Sequence, residues 1–167
     1  MTEFFRHLSE LSPRELIADT HGGLAMLALI LFGASLVLIR SLGGFTAAAH
    51  WLRKVLALLW IDLIVLNLIG LLIYIPYRAT GGPRSTLLSS ESTAWYHQIL
   101  FEHKEFLAFS PMMLILAALW ITNLKGDSLS TDKQARRALA FSVVTALIFV
   151  LVVAAEAVLV TKAAPLR

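Results

Sequence analysis

Residues 20–39 read THGGLAMLALILFGASLVLI, and the next residue is Arg40. A stretch of this length without a charged side chain is what an α-helix needs to cross a bilayer core of about 30 Å. Three more mostly apolar stretches follow at residues 55–77, 99–124 and 138–160, closed by Arg78, Lys125 and Lys162. The runs are continuous rather than alternating, which excludes β-spans. Lipid offers no partner to backbone N–H and C=O groups, so each run is expected to be a helix. The predicted fold is all-α, an integral membrane four-helix up-and-down bundle forming one domain over residues 1–167.

Composition supports this reading. Of 167 residues, 58% are hydrophobic and 15% charged, far from the balance of a water-soluble domain. There is no cysteine, which rules out disulfides, thiolate zinc sites, iron–sulfur clusters and covalently attached haem within the chain. A net charge of +3 is too small and dispersed for nucleic-acid binding. Phosphate loops, His-Glu-x-x-His helices and Gly-x-Ser-x-Gly elbows are missing from the sequence, so chemistry must come from a few polar groups or a bound cofactor.

The connections carry their own signals. Ser12-Pro13-Arg14-Glu15 reads as a capped helix start that runs on into the first crossing. Phe4, Phe5, Leu8 and Leu11 ahead of it suggest a short segment lying on the interface, and the acidic residues there speak against a signal peptide. Thr131 with Gln134 reads as a second capping box. Residues 41–49 and 126–132 are short turns, and 78–98 is the long loop. Leu87, Leu88, Trp95 and Tyr96 in that loop are expected at the interface. Lysine and arginine divide evenly between the two faces, but Arg53, Lys54, Arg136 and Arg137 are concentrated in the short connections. That density places those connections in the cytoplasm, with the termini and residues 78–98 outside, in a prokaryotic cytoplasmic membrane.

Five histidines carry the functional argument: His7, His21, His50, His97 and His103. His21 and His103 open helices of the same direction, so they share a membrane face. Neighbouring helices pack about 8–10 Å apart, and a diagonal pair stands roughly 1.4 times further. That wider gap suits a planar haem between two imidazoles. Gly22 and Gly23 would let a macrocycle approach the backbone, and Lys104, Arg14 and Arg84 are placed to receive propionates. The expected cofactor is one non-covalent haem b, with His21 and His103 as iron ligands and His97 as a substitute for His103. Six residues separate His97 from His103, about 120° on an α-helix, so they cannot both face one iron. His103 lies deeper in the apolar run, and His97 beside Trp95 and Tyr96 is expected at the interface. His50 reads as an interfacial residue beside Trp51, and His7 as solvated. A competing metal reading groups His21, His97, Glu102, His103 and Glu105.

A histidine followed by Gly-Gly-Leu-Ala-Met-Leu-Ala at the start of helix one, with further histidines opening later helices, resembles the transmembrane b-type cytochromes of the ascorbate-reducible class and their small bacterial relatives. In that family helices one and three share one haem, and helices two and four another. The resemblance implies His21 with His103 as one pair. The fourth helix has no histidine, so a second haem through His50 is not expected.

Polar groups within the crossings complete the set. Asp62 and Asn67 fall in helix two and Glu156 in helix four, where an unpaired ionisable group costs several kcal/mol. They read as a route for protons linked to quinone, or as contacts to other membrane subunits. Pro111 is expected to kink helix three. Gly33, Gly70 and the alanines at 154, 155 and 157 read as close-packing positions, and Met26, Met112 and Met113 as core fillers. Two functions follow as expectations. One is electron transfer between quinone and a partner, as a subunit of a respiratory oxidoreductase. The other is a cofactor-free accessory subunit.

Overall fold

A computed structural model describes residues 12–44 and 47–164. The interfacial segment expected at Phe4–Leu11, together with His7, lies outside the described residues. Among the described residues every regular element is helical. The four long ones are apolar and long enough to cross a membrane.

Helix α1 spans Pro13–Ser41. The Ser12 hydroxyl accepts the Glu15 N–H, and the Glu15 carboxylate accepts the Ser12 N–H. This reciprocal cap satisfies two of the N–H groups a helix start leaves open, as the sequence predicts. Helix α2 spans Ala48–Arg78. The predicted long loop is instead two short helices, α3 (Pro83–Leu88) and α4 (Glu91–Trp95). A π-helical turn, Tyr96–Phe101, follows, and α5 (Glu102–Ala108) continues from it. After a break at Phe109 the third long apolar segment resumes as α6, Ser110–Lys125. Pro111 in the first turn of α6 explains the break, because proline has no N–H to donate backwards and its ring crowds the preceding turn.

A 3-10 turn, Gly126–Ser130, leads to α7, Lys133–Ala163. Asp132, not Thr131, caps α7. Its carboxylate accepts the Ala135 N–H at 2.9 Å and meets Lys125 Nζ at 2.8 Å, while the Thr131 hydroxyl donates to the Ser128 carbonyl. A carboxylate is the stronger acceptor, and here it is charge-assisted as well. The Ala135 N–H and then Lys125 hold the Asp132 carboxyl below its ordinary value.

Helix α1 packs along α2 and α7, and α6 packs along the same two partners. The core uses one stripe of each helix at three- and four-residue spacing: Ala28 and Phe32, then Leu52, Leu56, Leu59 and Leu63, then Ile115 and Ala118, then Leu139, Val143 and Ala146. The outward stripes are equally apolar. Ile30, Val37, Ile61, Trp120, Phe141 and Ile148 are all exposed, as expected where lipid replaces water as the outer solvent. Met26 and Met113 sit on that outer surface rather than in the core. A side chain at Gly33 would meet nothing within 4 Å, and Ala154 and Ala155 are exposed, so neither feature marks a close helix contact.

One glycine is required by space. A Cβ at Gly82 would lie 2.6 Å from the Pro76 carbonyl and 2.9 Å from those of Tyr77 and Ala79. Only glycine lets the chain turn this tightly off the end of α2. That turn directs α3 back towards the start of the third crossing. Leu87, expected at the interface, is instead buried with Tyr77, Phe101, Val160 and Ala164.

Candidate functional site

His21, His97, His103, Lys104 and Glu156 all lie towards the end of the molecule where α1 begins and α2 and α7 finish. Each is positioned by a different neighbour.

His21 sits two turns into α1 and leans on α2. Gly70 makes the room, since a Cβ there would stand 3.4 Å from His21 Cε1. The ring nitrogen Nδ1 is buried without a hydrogen-bond partner. Gly22 and Gly23 have open space where a side chain would stand, and both are exposed on the outer side of α1.

His103 leans the other way, towards α7. Its Nδ1 stands 2.5 Å from Glu156 Oε1, and the protonated nitrogen donates to the carboxylate. Glu156 is only 7% exposed, and its other oxygen has no partner. The pairing fixes the His103 tautomer and leaves Nε2 as the ring's free nitrogen. His21 and His103 thus share one end of the molecule, on helices that flank α2 and α7, but separate neighbours hold their rings. Lys104, next to His103 in sequence, is half-buried and within electrostatic reach of both His21 and Glu156. Its ammonium also sits 4.8 Å over the Phe101 ring. Arg14 is exposed in the first turn of α1.

His97 is not interfacial. It is 2% exposed and both its nitrogens are occupied. Arg84 Nε donates to Nε2 at 3.0 Å, and Nδ1 lies 3.1 Å from Tyr77 Oη. Arginine can only donate, so Nε2 must be the unprotonated nitrogen, and Nδ1–H donates to the phenol oxygen. With both nitrogens engaged, His97 has none left to serve as a substitute iron ligand. Phe101 stacks on Tyr77 with centroids 3.9 Å apart, and Tyr74 stacks on Phe101 at 6.0 Å. Arg78 lies over Tyr74 at 4.8 Å and reaches Glu105 at 3.4 Å. Tyr77 and Arg84 hold His97 inwards from the π-helical turn. His97 and Phe101, four residues apart, are both buried in this turn.

Asp62 lies further in, on α2. It is 4% exposed and neither carboxylate oxygen has a hydrogen-bond partner. Asn67 is satisfied within its own helix, donating to the Leu63 carbonyl at 2.8 Å. Asp62 and Glu156 both point into the chain's own interior, away from the outer face where a partner helix would meet them. His50 is exposed beside Trp51, at 6.1 Å between ring centroids.

Among the described residues no three His, Asp or Glu side chains converge on a point that would hold a metal ion. The grouping of His21, His97, Glu102, His103 and Glu105 as a simple metal site therefore fails. The Tyr77–His97–Arg84 chain and the His103–Glu156 pair join residues far apart in sequence, and neither was legible from spacing. Comparison with protein-family models, curated proteins and solved structures finds no match to this chain.

Proposed function

We propose that this chain is an electron-transfer subunit of a prokaryotic cytoplasmic membrane. In this reading it is an up-and-down bundle that holds one non-covalent haem b through His21 and His103, and exchanges electrons with quinone or with a partner subunit. The observation that carries the reading is the His103–Glu156 bond. Histidines that ligate metals characteristically donate their other N–H to a carboxylate, which fixes the tautomer and raises the basicity of the ligating nitrogen. His103 has that arrangement, with Nε2 free. His21 supports the reading as a second imidazole at the same end, with one buried nitrogen unpartnered. Haem would supply one-electron chemistry. The chain's part is to supply two imidazoles, a carboxylate behind one of them that orients its ring, and a nearby ammonium, Lys104. The concentration of Arg53, Lys54, Arg136 and Arg137 at the opposite end favours that end as cytoplasmic.

The optical spectrum of the dithionite-reduced protein tests this. A b-type α band is expected in the wild type and in His50→Ala, and its loss in His21→Ala and in His103→Ala.

A second reading, a cofactor-free accessory subunit, is favoured by a different observation. Gly70 of α2 receives the His21 ring and Glu156 of α7 receives His103, so both rings already have protein neighbours. That reading expects no visible absorbance and a loss of stability in Glu156→Gln.

A further inference from the structure

At the opposite end of the molecule, Lys133, Arg136, Arg137 and Ala140 lie on one face of the first two turns of α7. With Ile39 of α1 they line a cleft of about 330 Å³. The spacing of these positions, i, i+3, i+4 and i+7, makes the face a consequence of helical geometry. Three of the five lining residues are cations, and no acidic residue lines the cleft. The nearest acid in sequence, Asp132, is engaged by Lys125 and by the Ala135 N–H. Among the described residues neither arginine nor Lys133 forms an ion pair. The Arg136 guanidinium reaches towards the α1–α2 turn, where Nη1 stands 3.2 Å from the Cβ position of Gly43. Cations are therefore gathered between two crossings without carboxylates to neutralise them, above a floor of Ile39 and Ala140 that leads into the apolar outer surface.

We propose that this cleft binds the headgroup of an anionic phospholipid. The phosphate would sit between Arg136, Arg137 and Lys133, and an acyl chain would descend over Ile39 and Ala140. Guanidinium groups bind phosphate oxygens two at a time, and basic pockets between crossings at the headgroup level recognise anionic lipids. A site for a soluble anion has no use for the apolar floor. A lipid needs both parts at once.

The test is native mass spectrometry of the full chain in neutral detergent, with phosphatidylglycerol, phosphatidylcholine or inorganic phosphate added separately. At least tenfold tighter retention of phosphatidylglycerol than of phosphatidylcholine is expected, with no comparable adduct from inorganic phosphate. Arg136→Gln with Arg137→Gln should remove that preference, and Lys162→Gln, at the other end, should leave it intact. Since loss of two cations can disturb insertion, Ile39→Trp provides a charge-neutral check. It obstructs the floor and should weaken phosphatidylglycerol retention several-fold with the cations untouched. Equal retention of the two lipids by the wild type overturns the proposal. So does full retention of phosphatidylglycerol in both the double variant and Ile39→Trp. Binding of inorganic phosphate as tight as that of phosphatidylglycerol would assign the site to a soluble anion instead.

Discussion

Replacing Asp62 by leucine should make the protein more stable. The side chain is 4% exposed and both oxygens lack partners, in a helix whose neighbouring inward positions are Leu59 and Leu63. A buried polar group left unsatisfied costs about 1–3 kcal/mol, and two orphaned oxygens place Asp62 at the upper part of that range. Leucine branches at the same carbon, with methyl groups in place of oxygens, and a swap of similar shape usually costs less than about 1.5 kcal/mol in repacking. The difference leaves a gain of about 1 kcal/mol or more, a factor of about five or more in the unfolding equilibrium. Unfolding in mixed micelles titrated with dodecyl sulfate, followed by tryptophan fluorescence, would read the change. Asp62→Asn, which keeps two polar atoms in the same place, should move the midpoint little. A loss of more than about 1 kcal/mol in Asp62→Leu would show that the carboxylate has a partner in the folded protein, and the reasoning from its isolation would fail.

Gly82→Ala should destabilise by about 1–3 kcal/mol through overpacking, because its Cβ would press on three backbone carbonyls; thermal unfolding in micelles reads this. Arg84→Leu leaves His97 Nε2 buried without its donor, for a loss of about 1–3 kcal/mol by the same assay, and Arg84→Lys should recover part of it. Asp132 is held below its ordinary value of 3.8 by the Ala135 N–H first and by Lys125. Its stabilisation is therefore present above that value and is lost as pH falls through the depressed one. Amide exchange at residues 133–136 should accelerate in Asp132→Ala at neutral pH. In the wild type it should show extra opening, beyond the intrinsic pH dependence of exchange, only in acid.

What could be read from the chain alone was local. The Ser12–Glu15 cap and the break at Pro111 depend on residues within a turn of each other, and the four crossings depend on composition over a window. The segment 78–98 misled because its helicity is imposed from outside. Gly82 turns the chain back, Leu87 finds a buried cluster, and His97 finds Tyr77 and Arg84. Thr131 was a reasonable cap by pattern, but Asp132 won through a contact with Lys125. The placement of His97 rested on its neighbours Trp95 and Tyr96, while Tyr77 and Arg84, 20 and 13 residues away, are what bury it. The His103–Glu156 bond joins residues 53 apart. Their common depth was legible, since both lie towards the same end, but the pairing was not.

That pairing is where structure and proposed function meet. It selects one nitrogen of His103 for a ligand and places a carboxylate behind the other. The reduced-minus-oxidised absorbance spectrum of the purified full-length protein, compared with His103→Ala, decides whether a haem uses it. A b-type α band present in the wild type and absent from the variant is the expected result. A featureless wild-type spectrum from cells supplied with haem would leave the His103–Glu156 bond as a purely structural contact between two crossings.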